Sequence, residues 1–178
     1  MNNSNQIALS LLLLSVIWKF GVYTLELDNT YNIYVTLLFI LVAAAAGLFL
    51  LRRSAKEDLT FVMEFKAAMQ PVAVYLVLFS VFLFTYYNFI NPNYLADIHA
   101  QNIQDRIQEA TEIGYSQEQI NQLVERLEDA NVIYTPFIWS SITLFVTLFI
   151  GLFYSLLLTF ILRLSGVREK FTALTRQF

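Results

Sequence analysis

The chain has 178 residues, of which 57% are hydrophobic and only 14% charged, with a formal net charge of −3 and no cysteine. An average soluble domain carries ~25% charged residues, so this composition belongs to a chain that meets lipid. The missing cysteine excludes disulfides, thiolate metal sites and a cysteine nucleophile.

Four apolar stretches follow one another: Ile7–Leu27, Ile33–Leu51, Val72–Ile90 and Phe137–Leu162. Each approaches the ~20 residues that a helix needs to cross ~30 Å of hydrocarbon. A single segment can pair all its backbone groups in lipid only as a helix. The expected fold is therefore all-α: a four-helix transmembrane bundle forming one membrane domain. Ile7–Leu27 does not read as a cleaved signal. Met1–Gln6 carries no basic side chain, and no small-x-small pattern follows the apolar run.

Charge then orients the spans. The link between spans 2 and 3 and the tail after span 4 hold eight basic residues, Arg52, Arg53, Lys56, Lys66, Arg163, Arg168, Lys170 and Arg176, with four acids among them. The two other connections hold ten acids against Arg106 and Arg126. Basic residues near span ends stay on the cytoplasmic side. Both termini are thus expected in the cytoplasm, with residues 91–135 outside. Tyr23, Tyr31, Tyr34, Tyr86, Tyr87, Tyr94, Tyr134 and Trp139 lie near the outer span ends and read as an interfacial aromatic belt.

Two further segments read as helices. Ser54 with Glu57 makes a capping box, and Glu57, Thr60 and Glu64 form a polar stripe opposite Leu59, Phe61, Val62, Met63 and Phe65. This predicts an interfacial helix before span 3, with a bend near Pro71. The insert Asn91–Thr135 predicts an extracytoplasmic amphipathic helical hairpin. Leu95, Ile98, Ile103, Ile107, Ala110 and Ile113 share one face, Gly114-Tyr115 interrupts it, and Ser116 with Gln119 restarts it through Ile120, Leu123, Val124, Leu127 and Ala130. Its polar face is acidic, which speaks against nucleic acid. The two apolar faces must meet each other, a membrane surface or another protein, so Ile107 and Leu123 are candidate binding residues.

Residues with chemistry are few. Lys19 is the lone charge within an apolar span, and intramembrane charges are functional candidates. Its place past the midplane suits snorkelling to the outer headgroups, with internal hydrogen bonding or an ion or substrate role as alternatives. Ser15, one turn earlier, makes a serine–lysine dyad geometrically conceivable, but no oxyanion feature accompanies it. No catalytic residue, metal site or cofactor is expected, and the lone His99 beside Asp97 and Asp105 reads as a solvated face. Thr143, Thr147, Gly151, Ser155 and Thr159 recur every four residues along span 4, and span 2 offers Ala43 through Gly47. Small residues let backbones approach, so these positions predict packing of span 4 on span 2, or else a subunit contact.

Tyr86-Tyr87-Asn88-Phe89-Ile90-Asn91-Pro92 closing span 3, and Gly114-Tyr115-Ser116-Gln117-Glu118-Gln119-Ile120 restarting the insert, are similar to a bacterial family of four-span integral membrane proteins of unknown function, domain-of-unknown-function family 4199. The resemblance covers nearly the whole chain. It implies four spans and a bacterial inner membrane location, and it brings no catalytic residues. The expected function is non-enzymatic: binding, as an accessory subunit of a membrane complex or as a homo-oligomer, through the outer hairpin or span 4. The alternative is a small oligomeric channel or transporter, which the sparse polar content of the spans disfavours.

Overall fold

The computed structural model describes residues 3–25, 27, 30–54 and 59–164. Six α-helices appear among them: α1 (Asn3–Thr24), α2 (Thr30–Ser54), α3 (Phe61–Thr85), α4 (Tyr94–Glu112), α5 (Gln117–Asp129) and α6 (Pro136–Arg163). A π-helical turn, Tyr86–Ile90, prolongs α3, and a 3-10 turn, Ala130–Tyr134, joins α5 to α6. No strand occurs among the described residues. Four helices are long and apolar enough to span a bilayer: Ser4–Thr24, Tyr31–Ser54, Phe61–Ile90 and Pro136–Arg163. The expected four-span, all-helical class is what the chain adopts. Two compact units divide it, Met1–Phe79 with Leu144–Phe178, and Ser80–Thr143.

In the first unit each helix buries one narrow stripe. On α1 it is Ala8, Leu11, Ser15, Lys19 and Val22; on α2, Ile40, Ala43, Ala44, Leu48 and Arg52; on α3, Glu64, Ala68, Val72, Tyr75 and Phe79. Steps of three and four residues keep such a stripe on one face of a 3.6-residue helix. The outward faces are apolar too, with Leu13, Ile17, Phe149 and Phe153 all exposed. Lipid is as apolar as leucine, so burial here sorts by size and polarity rather than by hydrophobicity.

Helix α3 is the hub of this unit. Tyr75 meets Ser15 of α1, Ala67 and Pro71 meet Gly47 of α2, and Val72 and Met69 meet Gly151 and Ser155 of α6. The small ridge on span 4 therefore packs chiefly on α3, with Ile40 of α2 also against Gly151. Ser155 and Thr159 are fully buried in it.

The interfacial-helix reading needs correction at its start. Ser54 ends α2, its Oγ bonded to the carbonyls of Leu50 and Leu51, so it does not cap a new helix. Glu57, its supposed partner, lies outside the described residues. Thr60 takes that role instead, its hydroxyl accepting from the Met63 N–H at 3.3 Å. Residues 61–70 are the first turns of α3, with Pro71 inside the helix.

In the second unit, α4 ends at Gly114, whose φ of 89° suits the left-handed residue after a helix. Tyr115 N–H bonds back to the Ala110 carbonyl at 3.0 Å. Ser116 and Gln119 then form the expected reciprocal capping box on α5.

Candidate functional site

Three polar or aromatic clusters distinguish this molecule from a plain apolar bundle. The first joins α2, α3 and α6 of the first unit. Glu64 Oε1 accepts from Arg52 Nη2 at 2.5 Å, and Glu64 Oε2 accepts from Arg163 Nε at 2.5 Å. Arg163 also donates to the Leu59 carbonyl at 2.6 Å and lies over the Phe61 ring. The Glu64 and Arg52 side chains are only 2% and 3% exposed, against 31% for Arg163. Taking charges out of water is costly, and shared hydrogen bonds in good geometry offset that cost. One carboxylate thus ties three helices at the basic end of the spans.

Glu64, placed by the sequence pattern on a polar stripe with Glu57 and Thr60, is buried. Its face of α3 looks into the bundle. Glu64 falls four residues before Ala68 and eleven before Tyr75, which places it on the buried face of α3. An acid at such a register, with arginines at two neighbouring span ends, is the signal the sequence carries for this cluster.

The second cluster lies within the spans. Ser15 Oγ donates to the Leu11 carbonyl at 2.9 Å and lies 2.8 Å from Tyr75 Oη. A serine has one hydroxyl hydrogen, so the Tyr75 hydroxyl is the donor of the second bond. Lys19 occupies the same α1 stripe and is 6% exposed. It is turned into the unit, whereas Tyr23 is exposed. Lys19 thus lies on the buried stripe of Leu11, Ser15 and Val22.

The third cluster organises the second unit. The π-helical turn, closed by Asn91 N–H to Tyr86 O at 2.9 Å, adds one residue per turn and brings Tyr86 and Tyr87 both to buried positions. Tyr87 stacks on Tyr94 at 5.4 Å, and Tyr86 meets Tyr87 edge-on at 5.3 Å. Tyr134 stacks on Trp139 at 5.7 Å and meets the His99 ring at a tilt, 4.5 Å between centroids. His99 Nε2 donates to the Leu127 carbonyl at 2.9 Å, joining α4 to α5, while Asn102 donates to Tyr134 Oη at 3.1 Å. Tyr86 and Tyr87 are buried packing groups, and Tyr94, Tyr134 and Trp139 are half-buried in the same cluster. Tyr23, Tyr31 and Tyr34 are exposed at span ends. His99 is a helix-to-helix tie and not a solvated side chain.

Of the two candidate binding residues on the insert, Ile107 and Leu123 are both half-buried, as are Ile103, Val124 and Leu127. Ile113, Tyr115 and Val132 are exposed. Among the described residues no group of acids or histidines is placed to hold a metal ion.

The fold and these clusters define a multi-pass helical membrane protein whose spans are tied by internal polar bonds. Residues 6–163 match the family described as Protein of unknown function (DUF4199), and the chain belongs to that family. No curated protein and no solved structure matches it.

Proposed function

We propose that the protein acts by binding, without catalysis, as an accessory subunit of a membrane complex or as a homo-oligomer, with the α4–α5 segment as its contact surface. The observation that carries this reading is the half-buried apolar stripe of Ile103, Ile107, Leu123, Val124 and Leu127 on two otherwise acidic helices. Two short helices that leave such a stripe partly open gain from a further partner. The polar groups within the spans already serve one another, as in Ser15 with Tyr75 and Glu64 with its two arginines. That supports a structural rather than chemical use of the spans. The tightly buried apolar layer of Ile40, Ala43, Ala44, Val72 and Leu76 speaks against a conducting path through one copy.

The charge pattern supports both termini inside and residues 91–135 outside, and the family resemblance supports a bacterial cytoplasmic membrane location. The test of the binding reading is chemical cross-linking and co-purification of the membrane-extracted protein, wild type against the double variant Ile107→Asp, Leu123→Asp. Loss of the cross-linked species with the spans still inserted supports the surface. Unchanged assembly removes it.

A further inference from the structure

We propose that the cleft between α1 and α2 is a binding site for one anionic phospholipid drawn from the bilayer. The cleft is an open groove of about 410 Å3 lined by Gln6, Ile7, Ser10, Leu11 and Leu50. This falls in the ~300–1,000 Å3 range of sites that hold small molecules. Its walls divide by chemistry. Ile7 and Leu11, one turn apart on α1, and Leu50 on α2 offer hydrocarbon. Gln6 and Ser10, also one turn apart, offer an amide and a hydroxyl, both in exposed positions. A ligand with an apolar chain and a polar ester or phosphate head satisfies both walls at once.

Charge selects the anionic class. The cleft sits in the first turns of α1 and the last turns of α2, at the basic end of that helix. Arg53 follows Leu50 by three residues, so it stands on the same side of α2 one turn further out, and it is exposed. Arg52, two residues from Leu50, points the other way, into the bond with Glu64. A cation one turn beyond an apolar wall matches the offset between a lipid phosphate and its acyl chains. Basic pockets between membrane helices draw anionic headgroups on the same grounds. The cleft is open rather than enclosed, and Leu9 and Leu13 on α1 are exposed, so a lipid needs no movement of the fold to enter.

The experiment uses the full chain purified in mild detergent. It is incubated with equimolar phosphatidylglycerol and phosphatidylcholine, and retained lipids are counted by native mass spectrometry. Wild type should retain one phosphatidylglycerol about fivefold or more over phosphatidylcholine, the share that one surface cation supplies. Arg53→Gln should bring the two lipids near parity, whereas Arg126→Gln on α5, an equal loss of charge, should keep the preference. Ser10→Leu should lower retention of both, and Gln6→Ala serves where Ser10→Leu does not fold. Equal retention of both lipids by wild type overturns the proposal. So does a preference that survives Arg53→Gln and the cleft variants alike.

Discussion

Gly47 lies so close to Ala67 that a β-carbon at position 47 would stand 2.1 Å from the Ala67 carbonyl oxygen and 2.9 Å from Pro71 Cγ. The two neighbours are linked chemically. Pro71 has no N–H, so the carbonyl four residues earlier, that of Ala67, receives no helical hydrogen bond. Gly47 brings the backbone of α2 onto this freed oxygen, the kind of close approach that lets Cα–H groups serve as weak donors. Proline and glycine thus form one packing device shared by α2 and α3.

The first prediction follows from that geometry. Gly47→Ala should cost about 3 kcal/mol, the upper end for overpacking, because the obstacle is backbone. Gly151→Ala meets Val72 Cγ1 at 2.6 Å, a side-chain obstacle, and should cost less. Adding Val72→Ala should rescue Gly151→Ala in part and leave Gly47→Ala unrescued. Thermal unfolding in detergent, followed by size-exclusion fluorescence, reads all four variants. Rescue of both glycines by Val72→Ala would refute the assignment.

The Arg52–Glu64–Arg163 cluster predicts an order of effects. Glu64→Gln leaves two arginines facing a neutral group and should cost about 3–5 kcal/mol. Arg163→Gln keeps the Arg52–Glu64 pair and loses a cation that is 31% exposed, so it should cost about 2 kcal/mol. The same unfolding measurement ranks them. A cost for Arg163→Gln equal to or above that for Glu64→Gln would show that Glu64 is not the hub.

Hydrogen-bond direction gives a third expectation, at Ser15 and Tyr75. Tyr75→Phe removes a donor, and Ser15 keeps its bond to the Leu11 carbonyl. Ser15→Ala instead strands the fully buried Tyr75 hydroxyl. The serine variant should therefore be the worse of the two, by about 1–2 kcal/mol, since unpaired buried donors carry the desolvation cost. Equal melting temperatures for the two variants would contradict this direction.

Topology is open to a direct check because the chain has no cysteine of its own. Single cysteines at Ser54 and Ala100, both exposed, should report the two sides. On cells stripped of any outer barrier, a membrane-impermeant maleimide should label Ala100→Cys and spare Ser54→Cys. The opposite labelling pattern would reverse the orientation.

Much of the fold is legible in the sequence. Four apolar runs of sufficient length oblige four helices, because lipid offers the backbone no alternative partner. The capping box at Ser116 and the break at Gly114 are also local matters, decided by a hydroxyl three residues from an amide and by a positive φ. The pattern misleads where a residue's role hangs on a distant partner. Ser54 has the spacing of a cap, yet α2 claims its hydroxyl. Glu64 has the spacing of a polar stripe, yet Arg52 and Arg163 come to it from 12 and 99 residues away. The outward and inward faces of a membrane helix are both apolar, so periodicity of hydropathy, which orients a helix in water, is nearly silent here. The inward placing of Lys19, Tyr86 and Tyr87 escapes the pattern for that reason. The sequence by itself determined the number, length and polarity of the spans. The tertiary structure alone decided which face of each turns inward, since that depends on which small, aromatic or charged groups on other helices are there to meet it.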